Sequence, residues 1–189
     1  EDRVIQVGRR RAPAASAACT SGWDECLTVV LDGMGEAESA SAFLARGGSL
    51  DRLAWIPVHD SIGILYSLIT LHLGFDFNSD EYKIMGLAPY GDPARFRGFF
   101  EKAVQLQDDG TIRIPILALN RTPDERENYL ATRRYLGSEL MAARDPDSEI
   151  GDRHRDLAAG LQECLDRAFL HLCGAWGKRT GQRRLALAG

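Results

Sequence analysis

Asp32 ends an apolar, β-rich run, Leu27-Thr28-Val29-Val30-Leu31, and Gly33-Met34-Gly35 follows at once. Ligands of α/β sheets bind at the carboxyl ends of strands, and glycines let a phosphate or a metal approach the backbone. A carboxylate there can hold a hard or borderline cation, although Asp-Gly is also an ordinary turn. Gly63 and Ser67 lie one helical turn apart on a second apolar segment and share a face. A glycine inside a helix costs about 1 kcal/mol relative to alanine. Close helix packing, or a ligand lying on the backbone, must offset that.

The third constellation runs from Asn78 to Gly91. Asn78, Ser79 and Asp80 form a capping cluster before a short helical turn that carries Glu81 and Lys83, and Gly86 and Pro89 close it. Lys83 can neutralise a phosphate or pair with Glu81 or Asp80, and a solvated surface lysine is the plainer alternative. His59, just before the second apolar segment, can ligate or act as a base, or be structural. His72, His154 and His171 have no partner at metal-ligand spacing. No Ser-His-Asp order, Walker loop or dinucleotide fingerprint occurs.

The elements that must position these residues follow from pattern. Leu27–Leu31 reads as a strand, and Ser39–Arg46 and Ser49–Ile56 as two more around the tight turn Gly47-Gly48. Ser61–Phe75 is apolar on nearly every side, which suits a buried helix. Asp92-Pro93 starts a helix that continues from Ala94 to Leu106. Asp109-Gly110 is a turn before a short strand, Thr111–Ile114, and residues 115–126 are irregular. Asn128–Ala143 is helical and Asp145–Gly151 a polar loop. The clearest helix is Asp152–Trp176, with Leu157, Leu161, Cys164, Leu165, Ala168, Phe169, Leu172 and Trp176 on one face. Arg184–Ala188 is a final strand. The expected fold class is α/β with a mixed sheet and flanking helices.

The chain has 189 residues, 44% hydrophobic and 26% charged, with a formal net charge of −4. That is ordinary globular composition, and the acidic balance argues against nucleic acid as a partner. Neither a long apolar segment nor a signal peptide occurs, so membrane is not an expected partner and a cytoplasmic placement is expected. Cys19, Cys26, Cys164 and Cys173 form no C-x-x-C pair, which points to buried, reduced thiols. The first residue is Glu and the last five form an apolar strand with no following element, so the chain reads as an incomplete domain.

Together, these segments resemble the amino-terminal part of the O-carbamoyltransferases of antibiotic and nodulation-factor biosynthesis. The resemblance is carried by Leu31-Asp32-Gly33-Met34-Gly35-Glu36, Ser61-Ile62-Gly63-Ile64-Leu65-Tyr66-Ser67, Gly74-Phe75, Asp80 to Gly91, and His154-Arg155-Asp156-Leu157-Ala158 with Gln162. It implies that residues 1–189 are part of a carbamoyltransferase amino-terminal domain with an actin-like ATPase (ribonuclease H-like) fold. The second domain of that family forms carbamoyl adenylate from carbamoyl phosphate and ATP, and is expected to be absent here. This domain would then move the carbamoyl group onto a hydroxyl of a small-molecule natural product. The resemblance implies Fe²⁺ or another divalent metal held by Asp32. It also implies contacts with ATP or carbamoyl adenylate at Gly33, Gly35, Gly63, Ser67 and Lys83. No catalytic residue is assigned.

One departure stands out. Aligned through Ala14-Ala15-Ser16-Ala17, the family's His-x-x-x-His pair falls on Arg9 and Pro13, neither of which can replace an imidazole ligand. The chain as written is therefore expected to be inactive alone. A non-catalytic module that binds a nucleotide or a partner is the alternative.

Overall fold

The computed structural model describes residues 11–33 and 37–189. Its main sheet is mixed. Strands β1 (Glu25–Leu31), β2 (Glu38–Arg46), β3 (Ser49–Pro57) and β6 (Leu185–Ala188) lie in the order β3-β2-β1-β6. β2 is antiparallel to both β1 and β3, and β6 is parallel to β1. Gly47 (φ 54°) and Gly48 (φ 79°) both take the left-handed conformation that a two-residue hairpin turn needs.

β1 is central and covered on both faces, which explains its unbroken apolar run. Leu27 and Val29 pack with Ala40, Ala42 and Ile56 under the helices α2 (Ile62–His72) and α7 (Asp152–Thr180). The alternate residues Cys26 and Val30 face the other way, toward α1 (Arg11–Thr20), where Ala14, Ala17 and Ala18 pack. The period-two alternation of a strand thus separates two unequal layers. Small side chains on α1 let it lie close to the sheet, while α2 and α7 supply the large core.

Between α2 and α7 run short elements: α3 (Glu81–Leu87), α4 (Arg97–Ala103), the two-stranded β4 (Gln105–Leu106) and β5 (Ile112–Arg113), α5 (Pro123–Asn128) and α6 (Leu130–Glu139). The single helix expected over residues 92–106 is divided. A 3₁₀ turn, Pro93–Arg95, gives way at Phe96 (φ −112°, ψ 5°) to α4, and Gln105–Leu106 is a strand. Phe96 and Phe100 are both buried against the main core, so packing sets the break. The helix expected over 128–143 is shorter at both ends: the left-handed Tyr129 (φ 52°) delays its start to Leu130, and it stops at Glu139. Within 115–126, Pro115–Leu119 is a 3₁₀ helix, and a Thr122–Glu125 capping box starts α5.

α7 runs to Thr180, four residues beyond Trp176, and ends at Gly181 (φ 69°). The cysteines are all free, but only Cys26 and Cys164 are buried as expected, whereas Cys173 is half-buried and Cys19 exposed. Among the described residues no helix is long and apolar enough to cross a membrane.

Candidate functional site at the tip of the first strand

The turn after β1 is pinned from several sides. The Asp32 amide donates to the Ser39 carbonyl at 2.8 Å, and the Val58 amide donates to the Ala37 carbonyl at 3.0 Å. Ser61 caps α2 by accepting from the Ile64 amide at 3.1 Å, and its own hydroxyl donates to the Gly33 carbonyl. One buried serine therefore starts the helix and holds the turn against it. The sequence pointed to the Ser61 segment without this role; a serine directly before an apolar helical run was the signal available.

Gly63 meets the same turn. A Cβ built on Gly63 would lie 2.4 Å from the Gly33 Cα, 3.0 Å from its nitrogen and 3.4 Å from the Asp32 carbonyl oxygen. The helical glycine is thus explained by close backbone approach, one of the two alternatives its sequence left open. Among the described residues, nothing lies within 4 Å of a Cβ placed on Gly33. Among the described residues the seam is closed on the helix side and has nothing against Gly33 on the other, and Asp32 is exposed. Gly35, like Arg9, lies outside the described residues; Pro13 sits in the first turn of α1.

Ser67 and Lys83 are committed elsewhere. The Ser67 hydroxyl donates to the Glu81 carboxylate, which also accepts the Asn78 amide at 2.8 Å. Glu81 thus caps the approach to α3 and ties it to α2. Lys83 Nζ donates to Asp80 Oδ2 at 2.8 Å, and the same oxygen accepts the Asp76 amide at 3.1 Å. The Lys83 bond, followed by the Asp76 amide, holds the Asp80 carboxyl below its ordinary range, and the lysine is raised in return. The capping cluster works differently from its pattern: Asp80 stands at the N-cap, but its side chain accepts no backbone amide of α3 and takes the Lys83 ammonium instead.

Replacing Ser67 with alanine is expected to lower stability by about 1.5–3 kcal/mol, the range for a hydrogen bond to a charged group. Urea denaturation reads this. Unchanged stability with weakened AMP binding would mean that Ser67 serves a ligand rather than α3.

The far end of the signature docks on α7. The Asp92 amide donates to Asp156 Oδ1 at 2.8 Å, and Arg95 Nη1 to Oδ2 at 3.0 Å. The Asp92 amide first, and Arg95 with it, keep the Asp156 carboxyl low. Tyr66 of α2 donates to Gln162 of α7 at 3.2 Å, and burial pushes its phenol up to about 12. Asp156 and Gln162, both within segments that carry the resemblance, are thus framework residues that fix α7 to the Asp92–Arg95 turn and to α2.

Among the described residues no three His, Cys, Asp or Glu side chains gather to hold a metal ion. Stable transition-metal sites need several donors. The described donor set at the strand tip therefore does not fit a metal, and no chemical step is derived through one.

The family model for the carbamoyltransferase N-terminus matches residues 4–189. The nodulation protein NolNO of Sinorhizobium fredii is 35% identical over 187 residues, covering 99% of this chain and 25% of that protein. Nodulation protein NolO of Bradyrhizobium diazoefficiens is 34% identical over 176 residues, covering 93% of this chain and 29% of that protein. An uncharacterized protein of Synechocystis is 34% identical over 178 residues, covering 93% of this chain and 28% of that protein. The chain spans between 25% and 29% of the length of these relatives.

Proposed function

The chain belongs to the carbamoyltransferase family through its N-terminal domain, and from that premise we propose that it serves carbamoyl transfer from carbamoyl adenylate to a hydroxyl of a small molecule. The adenylate would derive from carbamoyl phosphate and ATP. The acceptor oxygen would bond to the carbamoyl carbon as the bond from that carbon to the adenylate oxygen breaks. AMP would leave with the electron pair, and the hydroxyl proton would pass to a base. The match to the carbamoyltransferase N-terminus and the likeness to two nodulation proteins support this reading. An actin-like ATPase fold is part of the same proposal, supported by the mixed β3-β2-β1-β6 sheet.

The observation that carries this reading is the seam between Gly63 and Gly33. It sets the amino-terminal end of α2, which favours anions, against a strand tip bearing a carboxylate. Gly33 would let the adenylate lie on backbone, with Gly63 admitting the turn behind it and Asp32 directed at the reacting end. Ser67 and Lys83 would act through the frame, by holding α3 to α2 and folding the Asp76–Lys83 turn. Asp32 would give at most one ligand to a divalent ion such as Fe²⁺.

Calorimetric titration of the chain with AMP tests the proposal. Binding that weakens at least about tenfold in Gly63→Ala, which parts the seam, supports it. Binding indifferent to that substitution favours a nucleotide module away from the seam, and no AMP binding removes both readings. Incubation of this chain alone with carbamoyl phosphate, ATP and a hydroxyl acceptor is expected to yield no carbamoylated product by mass spectrometry.

A further inference from the structure

A groove of about 400 Å³ opens beside the strand-tip turn, between the Val58–Asp60 3₁₀ turn, the first turn of α2 and the junction of α5 with α6. Val58, Ile64 and Leu117 make its floor apolar, Tyr129 forms one wall, and His59 and Arg126 stand at the rim. No carboxylate lines it among the described residues. The neighbouring Asp60 is buried and turned away, accepting from the Ile114 amide at 2.8 Å and from Arg113 at 3.2 Å. His59 Nε2 lies 3.8 Å from Asp60 Oδ2, too far for a hydrogen bond.

Tyr129 is the unusual member. It is one of two described residues other than glycine with positive φ (52°), a conformation a bulky side chain seldom takes. The Asn120 side chain enforces it, accepting from the Ala131 and Thr132 amides at 3.0 and 3.3 Å and donating to Thr132 Oγ1 at 2.7 Å. Such conformations persist only where the surroundings over-determine them, and they cluster at ligand sites. The Tyr129 ring lies 6.2 Å from Phe77, and its half-buried hydroxyl makes no hydrogen bond among the described residues. Arg126 Nε donates to the Asn120 carbonyl at 3.4 Å, and its terminal nitrogens have no protein partner among the described residues. The groove thus joins a fixed aromatic wall and an apolar floor to an unspent guanidinium.

We propose that this groove binds a compound coupling a flat ring to a phosphate or carboxylate. The ring lies on Tyr129 and the apolar floor, and the anion meets Arg126 and His59. Val58 also ties the strand-tip turn through Ala37, and Ile64 follows Gly63, so a compound seated here lies next to the seam. Its role as the acceptor rests on the carbamoyl-transfer reading; the binding itself does not.

The test is titration of the chain with 4-nitrophenyl phosphate and 4-nitrobenzoate, which carry a ring and an anion. Inorganic phosphate supplies the bare anion, and 4-nitrophenyl β-glucoside the neutral ring. At least one of the ring anions is expected to bind about tenfold or more tightly than both controls, and which one does identifies the anion. Arg126→Gln is expected to abolish that preference over the glucoside. Tyr129→Asn, which tolerates the left-handed backbone, is expected to fold by circular dichroism yet lose the preference over inorganic phosphate. Equal binding of all four probes, no binding, or an unchanged preference in Arg126→Gln would overturn the proposal. AMP also couples a ring to a phosphate, so the two sites are separated by variant: AMP binding lost in Gly63→Ala and kept in Arg126→Gln belongs to the seam. Ring-anion preference without such seam-dependent AMP binding keeps the groove and removes the carbamoyl-transfer reading, and the converse removes the groove.

Discussion

Gly63→Ala is expected to destabilise the chain and to disable the strand tip, although alanine is the better helix former by about 1 kcal/mol. The new Cβ would stand 2.4 Å from the Gly33 Cα, where ordinary contact begins at 3.4 Å, so turn and helix must part by about 1 Å. Both partners are backbone, and Ser61 and Val58 hold the turn from the same side, so no side chain can swing away to absorb the strain. Overpacking of this kind costs about 1–3 kcal/mol, which leaves a net loss of up to about 2 kcal/mol after the gain in helix propensity. The adenylate is proposed to lie on this same turn, so AMP binding is expected to weaken together with stability.

Gly86→Ala provides the internal comparison. Gly86 also lies within a helix, α3, but nothing stands within 4 Å of its added Cβ. There the same substitution is expected to stabilise by about 0.5–1 kcal/mol. Urea denaturation of both variants, with AMP titration of the first, reads the contrast. Stabilisation of both by the same amount would mean that the Gly63 and Gly33 backbones do not meet in solution.

The difference between these two glycines marks what the amino-acid sequence could convey. β1, the Gly47-Gly48 hairpin, α2 and α7 were legible because each carries its own periodicity and its own turn or cap. α1 was not, because only Ala14 of its ten residues is buried and an alanine-rich helix has no apolar stripe to read. Tyr129 was not legible either: its left-handed turn is imposed by Asn120, which lies before α5, and local propensity favours a continuous helix through it. The division at Phe96 likewise follows from two aromatic rings finding the core.

The site shows the same limit. A carboxylate at a strand tip and a glycine in a helix are local signals, so Asp32 and Gly63 could be singled out. Their contact is tertiary, and only the fold displays it. Lys83 and Ser67 carried equally suggestive chemistry, yet the fold engages them with Asp80 and Glu81. A charged pair in a strictly bounded motif was therefore weak information, because side chains can find partners locally, and a helical glycine is informative only where the fold brings backbone against it, as at Gly63 and not at Gly86.

That logic places the largest stability effect at Gly91, the last residue of the Asp80–Gly91 signature. Its backbone (φ −115°, ψ 167°) is open to any residue, so the requirement for glycine is steric alone. An added Cβ would lie 2.1 Å from the Arg155 carbonyl oxygen, 2.2 Å from its carbon and 2.6 Å from the Asp156 nitrogen, all backbone in the first turns of α7. Separating the two segments would also pull the Asp92 amide and Arg95 from the Asp156 carboxylate, now bonded at 2.8 and 3.0 Å. Overpacking at about 1–3 kcal/mol adds to about 1.5–3 kcal/mol for a charge-assisted hydrogen bond. Gly91→Ala is therefore expected to cost on the order of 3–5 kcal/mol, a large part of the roughly 5–15 kcal/mol that holds a domain together. Asp156→Asn removes the ion pair with Arg95 while leaving an acceptor for the Asp92 amide, so it is expected to cost less. Because both changes act on one contact, the double variant should lose less than the two single losses combined. Chemical denaturation of the three variants measures this cycle. Strict additivity, or a Gly91→Ala loss below about 1 kcal/mol, would show that the signature does not dock on α7 through this turn.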